Sequence, residues 1–275
     1  MNHHRPFLWT TALLGLMTVC TLGCADEPAT SSTLPPTSPS AVPSAVPSTV
    51  PSTTPSAAPS TATPAGLPEG INDQFLSEDL DVDKFVERFE GESREVYAGR
   101  QAIVSALGLS TGSRVADIGA GTGFFSVLFA EQVGDQGKVY AVEISPNFLK
   151  HLRKRATQEF PATLEVVEGT MTSVELPTAS VDLAFLCDVY HHFESPPATL
   201  ASLHDAIRPG GSLVLIDFER IPGESPKWML DHVRAGKEVF KQEIEQAGFV
   251  FEEEIKPGVL SDNYMLRFRR PESRN

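Results

Sequence analysis

Val115-Ala116-Asp117-Ile118-Gly119-Ala120-Gly121-Thr122-Gly123-Phe124-Phe125-Ser126 decides how the rest of the chain is read. Apolar residues lead to an acid, three alternate glycines follow, and a helical apolar pattern begins at once. Val115 and Ile118 suit a buried strand. Gly119, Gly121 and Gly123 permit positive φ and let a ligand lie against bare backbone. Phe124, Phe125, Leu128, Phe129 and Val133 recur at helical spacing, giving the following helix a packing face. Strand, glycine turn and helix start bring free N–H groups and a positive dipole end to one point, a nucleotide-sized binding site.

Outward from this stretch, strands and helices alternate. Val82, Phe85, Val86 and Phe89 predict one helix upstream, and Val96, Ile103, Val104 and Leu107 a second that ends at Gly108. Downstream, strands are expected over 139–144, 164–167, 181–187, 213–218, 249–255 and 264–268. Helices are expected after Ser145-Pro146 and Ser195-Pro196, where proline suits the first helical position, and around Val239, Phe240 and Ile244. Arg208-Pro209-Gly210-Gly211 reads as a helix stop. The expected fold is α/β: a Rossmann-like, doubly wound, mostly parallel seven-stranded sheet with helices on both faces. Ligands of such sheets bind at the C-terminal strand ends, beside the switch in strand order.

The glycine spacing selects the ligand. A dinucleotide fingerprint reads G-x-G-x-x-G, because a pyrophosphate must meet the helix N-terminus. Here it is G-x-G-x-G, with Asp117 two residues before the first glycine. A carboxylate there repels pyrophosphate but accepts a hydrogen bond from an ammonium group. Glu143 closes the next strand, and an acid at that place can accept from both hydroxyls of a ribose. The pattern Asp-x-Gly-x-Gly-x-Gly, followed by Glu143, resembles the first two motifs of the class I S-adenosylmethionine-dependent methyltransferases. The resemblance covers roughly residues 80–250. It implies S-adenosylmethionine as cofactor, held by Asp117, Gly119, Ala120, Gly121, Gly123, Glu143 and Ile144. It also implies in-line methyl transfer to a small-molecule acceptor.

Two further motifs carry the likeness with departures. Where the family has Gly-Asp-Ala after the third strand, this chain reads Gly169-Thr170-Met171, so adenine is expected against Thr170 and Met171 without a charge. The fourth strand runs into Asp188-Val189-Tyr190-His191-His192-Phe193, resembling the motif whose acid and aromatics face cofactor and substrate. Asp188 is accordingly a cofactor contact, and Tyr190, His191 and His192 are the candidate catalytic residues, a histidine serving as proton acceptor. Adjacent residues on an extended chain point opposite ways, so this pair is not expected to hold a metal. The polar span from Asp217 to Gly236, with Glu219, Arg220, Trp228, His232 and Arg234, lies over the expected site and is the place for substrate contacts. Arg94 or Tyr97 is expected to close over the cofactor. A non-catalytic module that binds a nucleoside-like ligand remains the alternative at this stage.

Composition bounds the rest. The 275 residues carry a net charge of −14, which disfavours nucleic acid as a partner because no basic stripe neutralises phosphates. Residues 1–23 read as an export signal: Arg5 precedes an uncharged apolar run from Phe7 to Leu22, too short for an ordinary membrane span. Thr21-Leu22-Gly23-Cys24 resembles the lipobox of bacterial lipoproteins, which implies a lipid anchor on Cys24 and a place in the cell envelope; the alternative is an uncleaved signal that holds the domain at the cytoplasmic face. Half of the 22 prolines fall between Pro28 and Pro68, so residues 25–68 are expected to form a disordered tether and residues 70–275 the folded domain. Cys187, alone in that domain, is expected to be a packing residue.

Overall fold

The computed structural model describes residues 66–272; the expected signal, Cys24 and the tether up to residue 65 lie outside them. Four short helices come first: α1 (Asp73–Leu76), α2 (Val82–Phe89), α3 (Glu95–Ala98) and α4 (Arg100–Leu107). The first half of the sheet follows with β1 (Arg114–Ile118), α5 (Phe124–Val133), β2 (Lys138–Glu143), α6 (Pro146–Glu159) and β3 (Leu164–Glu168). The second half comprises β4 (Val181–Cys187), a 3-10 turn at Tyr190–His192, α7 (Pro196–Ala206), β5 (Ile207–Phe218), α8 (Lys227–His232), α9 (Lys237–Gln246), β6 (Val250–Glu254) and β7 (Asn263–Arg269).

The strands make one sheet in the order β3-β2-β1-β4-β5-β7-β6, parallel except for β7, which runs antiparallel to both neighbours. The order reverses between β1 and β4, so the chain leaves these strands in opposite lateral directions and a crevice opens at their C-terminal ends. Period-two alternation serves both faces. In β4, Leu183 and Phe185 pack with α4, α5 and α6 through Ile103, Phe125, Phe129 and Leu152. Ala184 and Leu186 pack on the other face with α7 and α9 through Leu200, Leu203, Phe240 and Ile244. This two-sided burial is why the central strands read as apolar runs.

Three elements depart from expectation. The second upstream helix is broken at Gly99 into α3 and α4. A short α1, which carries too few residues to show a period, precedes them. The Arg208–Gly211 segment does not lie outside the sheet: β5 begins at Ile207, which pairs with Val181, and exchanges bonds with the residue just after β7 through Gly210 N–H to Arg270 O and Arg270 N–H to Gly211 O. Long-range pairing supplied a partner that local turn signals do not reveal.

Phe185 sits fully buried where β4 meets α5, its ring 4.8 Å from Phe125 and 5.2 Å from Phe129. Replacing Phe185 by Ala is expected to cost about 3–5 kcal/mol, transfer and cavity contributions combined, measured as a lowered urea midpoint with unchanged m.

Candidate functional site

A cavity of about 710 Å³ opens at the β1–β4 switch and takes in the strand ends of β1, β2 and β4. Its floor is the glycine loop. Gly119 has φ +67 and Gly121 φ +56, both in the left-handed region that glycine adopts without strain. A Cβ on Gly119 would stand 2.3 Å from Val189 Cγ2, whereas one on Gly121 would meet nothing closer than 3.7 Å. Gly119 is thus bare for packing, and Gly121 is bare towards the cavity. Gly123 does not line the cavity: it has φ +80, donates its N–H to Ala120 O, and leaves room for Leu152. It shapes the turn rather than contacting a ligand, which corrects its expected role as a cofactor contact.

Glu143 ties this loop to β2. Its Oε2 accepts from Gly121 N–H at 2.8 Å, and its Oε1 accepts from the N–H of Ile144 at 2.7 Å and of Ser145 at 3.0 Å. A carboxylate has about four lone-pair sites, so three are used inside the protein. Accepting from two ribose hydroxyls therefore requires one of these three amides to give way. Burial pushes the Glu143 carboxyl upwards, and the amide bonds oppose that rise. Asp117 also lines the cavity, and Ser126 Oγ donates to its Oδ2 at 2.5 Å. Burial raises the Asp117 carboxyl to about 7, with the Ser126 bond opposing and the Glu143 charge adding.

Ala120, Ile144, Thr170, Met171 and Asp188 all reach the cavity wall, as the sequence reading places them. Asp188 is held at φ +52, a strained conformation for a residue with a side chain. Arg94 is 2.6 Å from its Oδ2, and Asn263 Nδ2 donates to its Oδ1 at 2.5 Å. Both oxygens of Asp188 thus have protein partners. Cys187 packs against the core as expected and also lines the cavity, and burial pushes its thiol well upwards.

The chain after Asp188 turns instead of extending. In the 3-10 turn, His191 and His192 project into the cavity with ring centroids 4.3 Å apart, contrary to the expected opposite directions. Tyr190 points the other way. It is fully buried, donates its hydroxyl to Glu243 at 2.8 Å and stacks edge-on with Phe240, so it is a core residue and not catalytic. Extended geometry was the wrong template; a turn of about three residues per revolution separates the first side chain from the next two differently. His191 is buried: its Nδ1–H donates to Asp217 Oδ1 at 2.8 Å and its backbone N–H to Asp217 Oδ2 at 3.2 Å. Burial, with the two neighbouring histidines, pushes His192 down to about 2, so its imidazole is neutral at ordinary pH.

Of the polar span beyond β5, Phe218, Trp228 and His232 reach the cavity. Glu219, Arg220 and Arg234 do not: Glu219 pairs with Lys237, Arg220 donates to Leu230 O, and Arg234 forks onto Glu243. On the opposite side, residues 72–94 form a wall that sequence reasoning missed apart from Arg94. Asn72 Nδ2 donates to His192 O and to Glu194 Oε1, and Phe75 stacks edge-on with His192 at 5.3 Å. Phe75, Phe85, Phe89 and Phe148 join in an aromatic cluster over that wall. Tyr97 stays outside it, against Phe124.

Residues 116–215 match a family model described as a methyltransferase domain. A S-adenosylmethionine-dependent methyltransferase of Aquifex aeolicus superposes with a TM-score of 0.58 at 21% identity, covering 69% of this chain and 98% of that one. The fold is that of the methyltransferases. An N-methyltransferase of Haemonchus contortus, solved with phosphomonomethylethanolamine and S-adenosylhomocysteine, gives 0.58 at 17% identity over 74% of this chain and 60% of that one. By sequence, the chain is 30% identical over 118 residues to a ubiquinone/menaquinone biosynthesis C-methyltransferase of Nitrosospira multiformis, covering 43% of this chain and 48% of that protein. It spans about half the length of the curated relatives it matches. The matched segment holds the glycine loop, Asp117 and Glu143, while the wall built by residues 72–94 and His232 lies outside it.

Gly119→Ala is expected to lower stability by about 1–3 kcal/mol, because it combines left-handed strain with overpacking against Val189. Gly108→Ala has the same φ sign and open space, so it should lose only the strain part. Urea titrations of the two variants separate the clash from the backbone cost.

Proposed function

We propose that the chain is a S-adenosylmethionine-dependent methyltransferase acting on a small-molecule acceptor. The observation that carries this reading is the pair of buried carboxylates, Asp117 and Glu143, flanking a glycine loop whose Gly121 is open to a cavity of about 710 Å³. That volume suits a nucleoside-sized ligand with an acceptor beside it. The residues fit the cofactor: an acid for its ammonium group, an acid and a backbone amide beside its ribose, and Ile144, Met171 and Val174 as apolar wall for its base. When bound, S-adenosylmethionine supplies an electrophilic methyl on a positively charged sulfur.

The protein's own contribution is chiefly positional. Asp117 orients the amino-acid end, Glu143 and Gly121 the sugar, and the histidine wall with Trp228 and Phe218 faces the acceptor. Closing residues 72–94 over the cavity excludes water from the reacting pair. Burial keeps the His192 imidazole neutral and makes it a weak base, so this wall presents an uncharged ring to the acceptor.

By calorimetry, Asp117→Ala should weaken S-adenosylmethionine binding about 10–100-fold, the worth of a charge-assisted hydrogen bond of about 1.5–3 kcal/mol. Unchanged affinity would overturn the site. Because Asp117 is protonated below about 7, affinity should fall on acidification through that value, approaching tenfold per pH unit. Asp117→Asn should flatten this profile. Labelled methyl donor incubated with cell-envelope extract tests the activity: transfer supports the enzyme, and binding without transfer supports a nucleoside-binding module instead.

Attachment to a membrane through Cys24 belongs to the same proposal and rests on the lipobox-like Thr21-Leu22-Gly23-Cys24. Radiolabelled palmitate should enter the full chain expressed in a bacterium, and Cys24→Ala should remove the label. Among the described residues, no helix is long and apolar enough to cross a membrane.

A further inference from the structure

Three imidazoles meet on one wall of the cavity. His191 and His192 come from the turn after β4, His232 from the end of α8, and one ligating nitrogen of each lies within 4.8 Å of the others. The His232 ring centroid is 5.1 Å from that of His191 and 5.0 Å from that of His192. Ring packing alone does not account for the set, because each ring carries a nitrogen lone pair that a stacked neighbour leaves unused.

Two details around the trio point to a ligand. The first lies behind His191. Asp217 accepts its Nδ1–H, so the other nitrogen, Nε2, keeps its lone pair; a carboxylate behind an imidazole is how a metal-ligating histidine is oriented and made more basic. Asp217 is held in turn, accepting from the N–H of Phe218 at 2.8 Å as well as that of His191. The second is Nδ1 of His192, which is buried without a hydrogen-bond partner. Buried polar atoms are almost always satisfied, so an orphan on a ring packed against two other imidazoles calls for an occupant.

We propose that His191, His192 and His232 bind one divalent transition-metal ion of zinc-like chemistry, with a fourth coordination position open to the cavity. Three imidazoles and no carboxylate in direct reach select a borderline ion over magnesium or calcium, which take oxygen ligands. A three-histidine set that leaves one position free is the arrangement of a catalytic rather than a structural site. Tetrahedral bonds of about 2.0–2.1 Å place nitrogens about 3.3 Å apart, so the rings need only close by side-chain rotation. His232, half-buried on a six-residue helix, has the freedom to do so. The open position would take an oxygen or sulfur of the methyl acceptor and lower the pKa of its O–H or S–H; the proton passes to water, the anion bonds to the methyl as the sulfonium S–CH3 bond breaks, and the neutral thioether leaves. This last role rests on the methyltransferase reading; metal binding itself does not.

The test uses the full chain with His3→Ala and His4→Ala, which removes the other adjacent histidine pair. After dialysis against chelator, the protein is titrated with cobalt(II) and followed by visible absorption. One equivalent is expected, with the strong d–d bands of tetrahedral cobalt, and zinc should displace it stoichiometrically. His232→Ala, at a half-buried position, should weaken cobalt binding about 100-fold, and Asp217→Asn about 10–100-fold. His151→Ala, which lies away from the cavity, should leave it unchanged. Circular dichroism checks that each variant is folded, and His232→Gln repeats the test with a side chain of similar length. No bound cobalt in the parent, or equal affinity in the His232 variants, overturns the metal site. Because the readout needs no methyl donor, a protein that ignores cobalt yet binds S-adenosylmethionine refutes the metal site alone.

Discussion

The carboxylate of Glu143 fastens the glycine loop after β1 to the end of β2, beyond the ladder that already pairs the two strands. It accepts one amide from the loop after β1 and two from the chain after β2. In a buried setting each such bond is worth more than in water, and leaving the carboxylate without them would carry a large desolvation cost. That clamp fixes the orientation of Gly121, whose N–H it holds. Asp117, one strand over, is placed in the same dry region and is held by Ser126 from the first turn of α5. Two acids so close and so buried disfavour one another's charge. Hence a cationic ligand is the partner that relieves the site.

A second constraint sits at the end of β4. Asp188 takes a left-handed backbone angle, and Arg94 and Asn263 hold its side chain from either side. The chain therefore bends at once into the 3-10 turn, driving Tyr190 down among Phe193, Phe240 and Glu243 while His191 and His192 rise into the cavity. The same Arg94 belongs to the segment that walls the opposite side. The residues that shape the acceptor end and those that cover the site are thus mechanically connected through one ion pair. A charge pair with side chains 24% and 9% exposed is a firm tie when both partners are present and a liability when one is lost.

Much of the fold was legible because its signals are local and redundant. β4 falls on the residues that its apolar run indicates, α2 on the spacing of Val82, Phe85, Val86 and Phe89, and the glycine stretch on its own pattern. The two site carboxylates were legible for the same reason: Asp117 stands one residue before the end of β1 and Glu143 is the last residue of β2, each after an apolar run. Less visible were β5, whose early residues pair with distant β7, and α1 and α3, four residues each, too short to show a period. Glu219, Arg220 and Arg234 share a polar stretch with Trp228 and His232, and nothing in their order says which turn towards the cavity.

By itself, the sequence determined the alternation of strands and helices, the switch-point crevice and the paired acids on a glycine loop, because these depend on periodicity and on the backbone freedom of particular residues. Only the tertiary structure decided which side chains meet there. It turned Tyr190 inward and brought His232, forty residues on, against His191 and His192. It also occupied Glu143 with amides and set Asn72, Phe75 and Arg94 over the opening. Those outcomes depend on a single sign-changing backbone angle at Asp188 and on packing between segments far apart in the chain, and no short-range pattern carries either.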